Sequence, residues 1–229
     1  MKIIKITLLF VSLSLLSCGV SRKNNSSEAT YKYLALGDSY TIGESVCSDC
    51  NYPKQLTDSL NNTSKEKTSV KIIAKTGWTT TDLISAIAAE NPSKDYDLVT
   101  LLIGVNNQYQ GKPFSLYEEE FPKLLDMAID FAKGKKENVI VLSIPDYAFT
   151  RFGQKSGKAE KITSDLIRYN AFAERISKEK GVHFENITPI TQEGLENLKL
   201  VASDGLHPSE VAYKKFVELM FDSVLKILR

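Results

Sequence analysis

Five short apolar runs rich in β-forming residues recur along the 229-residue chain, with longer stretches of helical spacing between them. They are Tyr33–Leu36, Val70–Ala74, Leu98–Ile103, Val139–Ile144 and Val182–Phe184. Strand and helix in alternation argue for an α/β fold whose sheet is mainly parallel and covered by helices on both faces. The middle runs are continuous rather than alternating, as expected of strands buried on both sides. Ser115-x-x-Glu118 reads as a capping box that opens a helix running to about Lys133, with Gly134 as its stop. Ile162, Leu166, Tyr169, Ala173 and Ile176 step by four and three along one face, ahead of a stop at Gly181. Pro208-Ser209 starts a terminal helix with Ala212, Phe216, Leu219 and residues 223–227 on its inner side. There is no internal repeat and no Pro/Gly-rich divider, so residues 31–229 read as one domain.

Composition removes several function classes. Hydrophobic residues make up 42% and charged residues 25%, with 12 Gly and 7 Pro, which excludes low-complexity and collagen-like chains. A formal charge of +1 with no long basic run leaves no electrostatic footprint for nucleic acid. Three Cys are too few for a disulfide-dense scaffold.

The N-terminus reads as an address. Lys2 and Lys5 precede an apolar stretch from Ile6 to Leu16, which is signal-peptide length and too short to span a bilayer. Leu15-Leu16-Ser17-Cys18 at its end resembles a bacterial lipoprotein box, which implies removal of residues 1–17 and lipidation of Cys18. The alternative is an ordinary secretory leader with an incidental Cys. Residues 18–30, polar and rich in Ser and Asn, suit a flexible tether. The expected location is outside the cytoplasm, held to a membrane (the outer membrane best) on the periplasmic or exterior side.

Three motifs stand at strand ends, where ligand sites of open α/β sheets lie. Gly37-Asp38-Ser39-Tyr40 follows the first strand, and a Ser at a strand-to-helix turn exposes its hydroxyl at the sheet edge. Taken alone, Asp38 or Ser39 reads equally well as a helix cap. Gly104-Val105-Asn106-Asn107 follows the third strand; an Asn amide there can donate to developing negative charge, or the motif is a polar turn. Asp204-Gly205-Leu206-His207-Pro208 precedes the last helix, with a carboxylate three residues before a His that it can orient. The chain's other His, His183, lies in an apolar strand and reads as structural.

Together and in this order, Gly37-Asp38-Ser39, Gly104-x-Asn106-Asn107 and Asp204-x-x-His207 resemble the SGNH (GDSL-type) hydrolases over nearly the whole domain. The resemblance implies a flavodoxin-like three-layer α/β/α sandwich and ester hydrolysis through an acyl-serine. It implies Ser39 as nucleophile, His207 as general base and Asp204 as the group that fixes it. It implies an oxyanion hole from the Ser39 and Gly77 N–H groups and the Asn106 amide, with no metal and no organic cofactor. Two positions depart from the family pattern: Tyr40 where Leu is usual, expected to pack only, and Asn107 where many members have Asp.

Cys47 and Cys50 form a C-x-x-C with no second pair to complete a zinc site and no thioredoxin-like setting. A local disulfide is the preferred reading, with free thiols the alternative. Trp78, Tyr109, Tyr147, Phe149 and Phe152 lie near the motifs and read either as a substrate wall or as packing. Ser143-Ile144-Pro145-Asp146-Tyr147 is similar to a stretch of lipase- and lysophospholipase-type members. The expected partner is a small-molecule, lipid or acylated-glycan ester. A non-catalytic surface binder is the rival from another class.

Overall fold

The computed structural model describes residues 31–228. The leader, Cys18 and the tether lie outside the described residues. Five strands form one sheet: β1 (Tyr31–Gly37), β2 (Thr68–Ala74), β3 (Leu98–Leu102), β4 (Val139–Leu142) and β5 (His183–Glu185). Their order is β2-β1-β3-β4-β5, and every pairing is parallel. The fold class is α/β, as the alternation predicts. Each strand coincides with one of the five apolar runs to within about two residues.

Among the described residues, nine α-helices lie between and after the strands. They are α1 (Ser39–Ile42), α2 (Tyr52–Thr63), α3 (Thr80–Glu90), α4 (Val105–Tyr109), α5 (Phe114–Phe131), α6 (Arg151–Lys155), α7 (Ala159–Lys180), α8 (Thr188–Gln192) and α9 (Glu210–Ile227). α2 packs on α9, while α3, α5 and α7 pack side by side. Every residue of β3 and β4 is buried, as strands between two helical layers must be. The core is unusually rich in fully buried tyrosine: Tyr33, Tyr52, Tyr117 and Tyr213. Tyr33 and Tyr52 both place their hydroxyls on Thr100 Oγ1, at 2.8 and 3.2 Å, so these polar tips are satisfied inside.

Three local readings change. The Ser115/Glu118 capping box does not form: Pro113 sets the entry of α5, which begins at Phe114, and Ser115 already lies in the first turn. Leu219 faces solvent, and α9 buries Tyr213, Val217, Met220 and Val224 beside Ala212 and Phe216 instead. His183 sits on the edge strand with its side chain exposed, bonded to Glu185 at 3.0 Å.

Strand order reverses direction at β1, whose two neighbours are β2 and β3. The crevice beyond the carboxyl ends of β1 and β3 is therefore the place where loops part to admit a ligand.

Candidate active site

β1 ends at Gly37 and turns at once into α1. A Cβ on Gly37 would overlap Thr41 Oγ1 and the Leu102 carbonyl, so a glycine is what lets this turn press against β3. Asp38 caps the short helix, its Oδ1 accepting the Tyr40 N–H at 3.0 Å. Asp38 is fully buried, and its Oδ2 has no hydrogen-bond partner. Burial pushes its pKa up to about 7 against the opposing pull of the Tyr40 N–H. Ser39 opens the first turn of α1, where a backbone N–H has no intrahelical acceptor.

Ser39 Oγ lies 3.1 Å from His207 Nε2, and His207 Nδ1 lies 2.6 Å from Asp204 Oδ2. Asp204 also accepts the Leu206 and His207 N–H groups and the Ser45 hydroxyl. Burial pushes its carboxyl up, but these hydrogen bonds, His207 first, outweigh burial and hold its pKa at about 2. An ionised carboxylate only accepts, so the imidazole proton sits on Nδ1 and the bare Nε2 faces the Ser39 hydroxyl.

His207 owes its position to a clasp in the loop before α9. Val201 and Pro208 form an antiparallel bridge, with the Ala202 N–H on the His207 carbonyl at 2.8 Å and the Ser209 N–H on Leu200 at 2.9 Å. Tyr40 touches the same imidazole: the ring centroids are 5.7 Å apart and the planes 68° from parallel. The residue that departs from the family motif therefore packs against His207, an edge-on contact typical of aromatic pairs.

Asn106 and Asn107 of α4, with Gln110 at its C-cap, hold the loop after β2 and the start of α3. Asn106 Nδ2 donates to the Trp78 carbonyl at 3.0 Å, and Gln110 Nε2, just past the helix, donates to the Gly77 carbonyl at 2.9 Å. Asn107 accepts the Thr80 N–H at 3.0 Å and donates to Thr80 Oγ1 at 2.7 Å, while the Thr80 hydroxyl donates to the buried Glu120. The motifs after β1, β2 and β3 thus meet at one place.

Ser39, His207, Gly77 and Asn106 line a cleft of about 260 Å³, together with Tyr40, Val105, Tyr109, Tyr147, Phe152 and Leu206. Trp78 and Phe149 are not part of this wall. Trp78 is half-buried against the core and reaches the site only through its carbonyl, and Phe149 lines a separate groove beside α7. Of the rings expected there, Tyr109, Tyr147 and Phe152 stand in the wall. Cys47 and Cys50 are bonded to each other in the loop after α1. Among the described residues, no three His, Cys, Asp or Glu side chains are grouped to hold a metal ion.

A family model described as GDSL-like Lipase/Acylhydrolase matches residues 35–215, most of the chain. The chain belongs to this family. The family's fold is visible in solved structures at low identity. A lipase/acylhydrolase from Enterococcus faecalis superposes with a TM-score of 0.65 at 19% identity, covering 87% of this chain and 97% of its own. A member of the lipolytic protein G-D-S-L family from Veillonella parvula gives 0.64 at 16% identity, with coverages of 84% and 97%. An acetylxylan esterase from Geobacillus stearothermophilus gives 0.60 at 16% identity, with coverages of 86% and 94%. By sequence, no curated protein matches the chain. Sequence reasoning missed Ser45 and Gln110, whose partners lie far away along the chain.

Proposed function

We propose that the chain is a serine carboxylic-ester hydrolase, acting through an acyl-serine intermediate on a small acyl or lysophospholipid-like ester. The observation that carries this reading is the unbroken hydrogen-bonded line from Ser39 through His207 to Asp204 at the floor of a mostly apolar cleft. His207 Nε2 takes the Ser39 proton as Oγ attacks the ester carbonyl, and Asp204 steadies the imidazolium that results. The oxygen of the tetrahedral intermediate lies against the Ser39 and Gly77 N–H groups and the Asn106 amide. His207 then hands its proton to the leaving alcohol, and water repeats the cycle on the acyl-serine. No step calls for a metal or an organic cofactor.

The cleft, at about 260 Å³, is slightly smaller than common ligand pockets, which run from about 300 to 1,000 Å³. A short or medium acyl chain suits it. A carbohydrate O-acetyl ester is the second reading, favoured by the exposed rings of Tyr109 and Phe152 at the rim, which offer a platform for a sugar. The leader-like residues 2–16 and Cys18 support a location on a membrane surface outside the cytoplasm, with residues 18–30 as the tether. Loss of membrane association in Cys18→Ser tests that part.

Hydrolysis of nitrophenyl esters from acetyl to dodecanoyl, beside acetylated xylan, tests the activity and ranks the two substrates. Turnover that vanishes in Ser39→Ala supports the serine mechanism. Equal background rates in both proteins overturn it and leave the surface-binder reading.

A further inference from the structure

A second cavity of about 520 Å³ adjoins the Ser39 cleft, and the two share Tyr109, Tyr147 and Phe152 as a common wall. Its chemistry differs from that of the cleft. Lys112, Lys158, Lys161 and Arg168 line it, with Asp165 as the single carboxylate. Four cations against one anion is a strong local excess in a chain whose formal charge is only +1.

Only one pair of these charges is spent internally. Asp165 is occupied by Lys161, at 2.8 and 2.9 Å, and by Gln108 Nε2 at 3.0 Å. Lys112, Lys158 and Arg168 make no salt bridge among the described residues. The Arg168 guanidinium carbon lies over the Phe114 ring, 3.7 Å from its centroid. A cation–π contact there holds the guanidinium in place, and no hydrogen bond or ion pair among the described residues takes up its N–H donors, which leaves them for a bidentate oxyanion.

The cavity is also built into the site. Tyr147 donates to Gln108 Oε1 at 2.8 Å, and Gln108 donates to Asp165, so an ordered chain of hydrogen bonds runs from the cleft wall to the charged chamber. A substrate whose ester lies on Ser39 and whose remainder passes Tyr109 and Phe152 brings that remainder to the cations.

We infer that this cavity is an anion subsite, and that the preferred substrates are esters carrying a phosphate or carboxylate remote from the scissile bond. The inference rests on the ester-hydrolase reading for its consequence in turnover, but the subsite is measurable without catalysis.

The test is calorimetric binding to the full-length Ser39→Ala chain in a non-ionic detergent. The probes are octanoyl glycerol, octanoyl glycerol phosphate and octanoyl glycerol hemisuccinate. At low salt the phosphate ester should bind at least about ten-fold more tightly than the neutral one, because the chamber's charge is uncompensated. The gap should shrink to about two-fold with Lys158→Glu and Arg168→Gln combined, and shrink likewise at high salt in the unmodified chamber. The salt series keeps the test decisive if the double variant folds poorly. The hemisuccinate arm tells whether carboxylates share the site. Equal affinity for neutral and anionic probes, or a gap indifferent to salt, overturns the subsite. Failure of the hydrolase reading looks different: the wild-type chain would leave all three esters intact while the affinity gap persisted.

Discussion

Ser45 Oγ donates to Asp204 Oδ2 at 2.7 Å, onto the same oxygen that receives the His207 Nδ1 proton at 2.6 Å. The two residues are 159 positions apart, and the loop that carries Ser45 is held from both ends. Gly43 closes α1 with φ 77°, and Asn51 ties the loop to the Ile42 and Ser48 carbonyls while capping α2. The Cys47–Cys50 disulfide lies between these anchors. Ser45 itself has φ 65°, an uncommon backbone state for a non-glycine residue. Ser45→Ala should lower kcat by about 3- to 10-fold through a less firmly oriented Asp204, at nearly unchanged KM. Thermal unfolding should barely move, since Ser45 is exposed. Steady-state kinetics beside a melting curve decide it.

Asn106 and Gly77 carry different kinds of risk. Asn106→Ala removes a side-chain donor and should cost about 10²–10³ in kcat. At Gly77 a Cβ meets nothing within 4 Å, so the objection to a side chain is conformational: φ is +84°. Gly77→Ala should therefore fold, at a cost of roughly 1–2 kcal/mol, and lose activity only as far as its N–H is displaced. A chemical denaturation series on both variants separates the two effects.

Asn107 has a physical reason to be neutral. Its amide donates to Thr80 Oγ1, whose own hydroxyl proton goes on to Glu120. Glu120 also accepts the Thr81 hydroxyl at 2.8 Å. An Asp at position 107 would put two acceptors on a hydroxyl with one proton and bring a second carboxylate into a buried network. Asn107→Asp should destabilise by about 2 kcal/mol. Adding Glu120→Gln, which can reverse the direction of the relay, should recover most of that loss. A double-mutant cycle measured by urea unfolding checks the coupling.

Asp38 makes stability depend on pH in the unusual direction. Its folded pKa of about 7 stands above the ordinary 3.8, so between about pH 4 and 7 the folded state holds a proton that the unfolded chain has released. Unfolding free energy from this group is therefore fully present near pH 4 and lost as the pH rises to 7, by roughly 4 kcal/mol in total. Asp204 works the other way: held at about 2, it stabilises above pH 4 and its contribution fades as the pH falls toward 2. Asp38→Asn should abolish the decline between pH 5 and 7 in denaturant midpoints, while the wild-type chain shows it.

Much of this arrangement was legible in the residues before any coordinates. The five strands announce themselves because β1, β3 and β4 are apolar on both faces, leaving continuous runs. Ser39, Asn106, Asp204 and His207 are legible because each sits in a short local motif at a strand end. What stayed hidden depends on contacts between distant segments. Ser45 has no local signature, and the charged cavity exists only because α4, α5, α6 and α7 converge. Trp78 and Phe149 illustrate the opposite error, since nearness in sequence to a motif does not decide which way a ring points. The Ser115/Glu118 pattern is a cap in letters only, overruled by Pro113 two residues earlier.

The roles of His207, Asp204 and Asn106 all depend on Ser39 being an activated nucleophile. A fluorophosphonate probe reacts with a serine whose proton a neighbouring base removes, and mass spectrometry of the digested chain locates the adduct. One adduct is expected on the peptide bearing Ser39, formed in the wild-type chain, lost in Ser39→Ala and strongly slowed in His207→Ala. A wild-type chain that stays unlabelled, or labelling that persists on another residue when Ser39 is replaced, would contradict it.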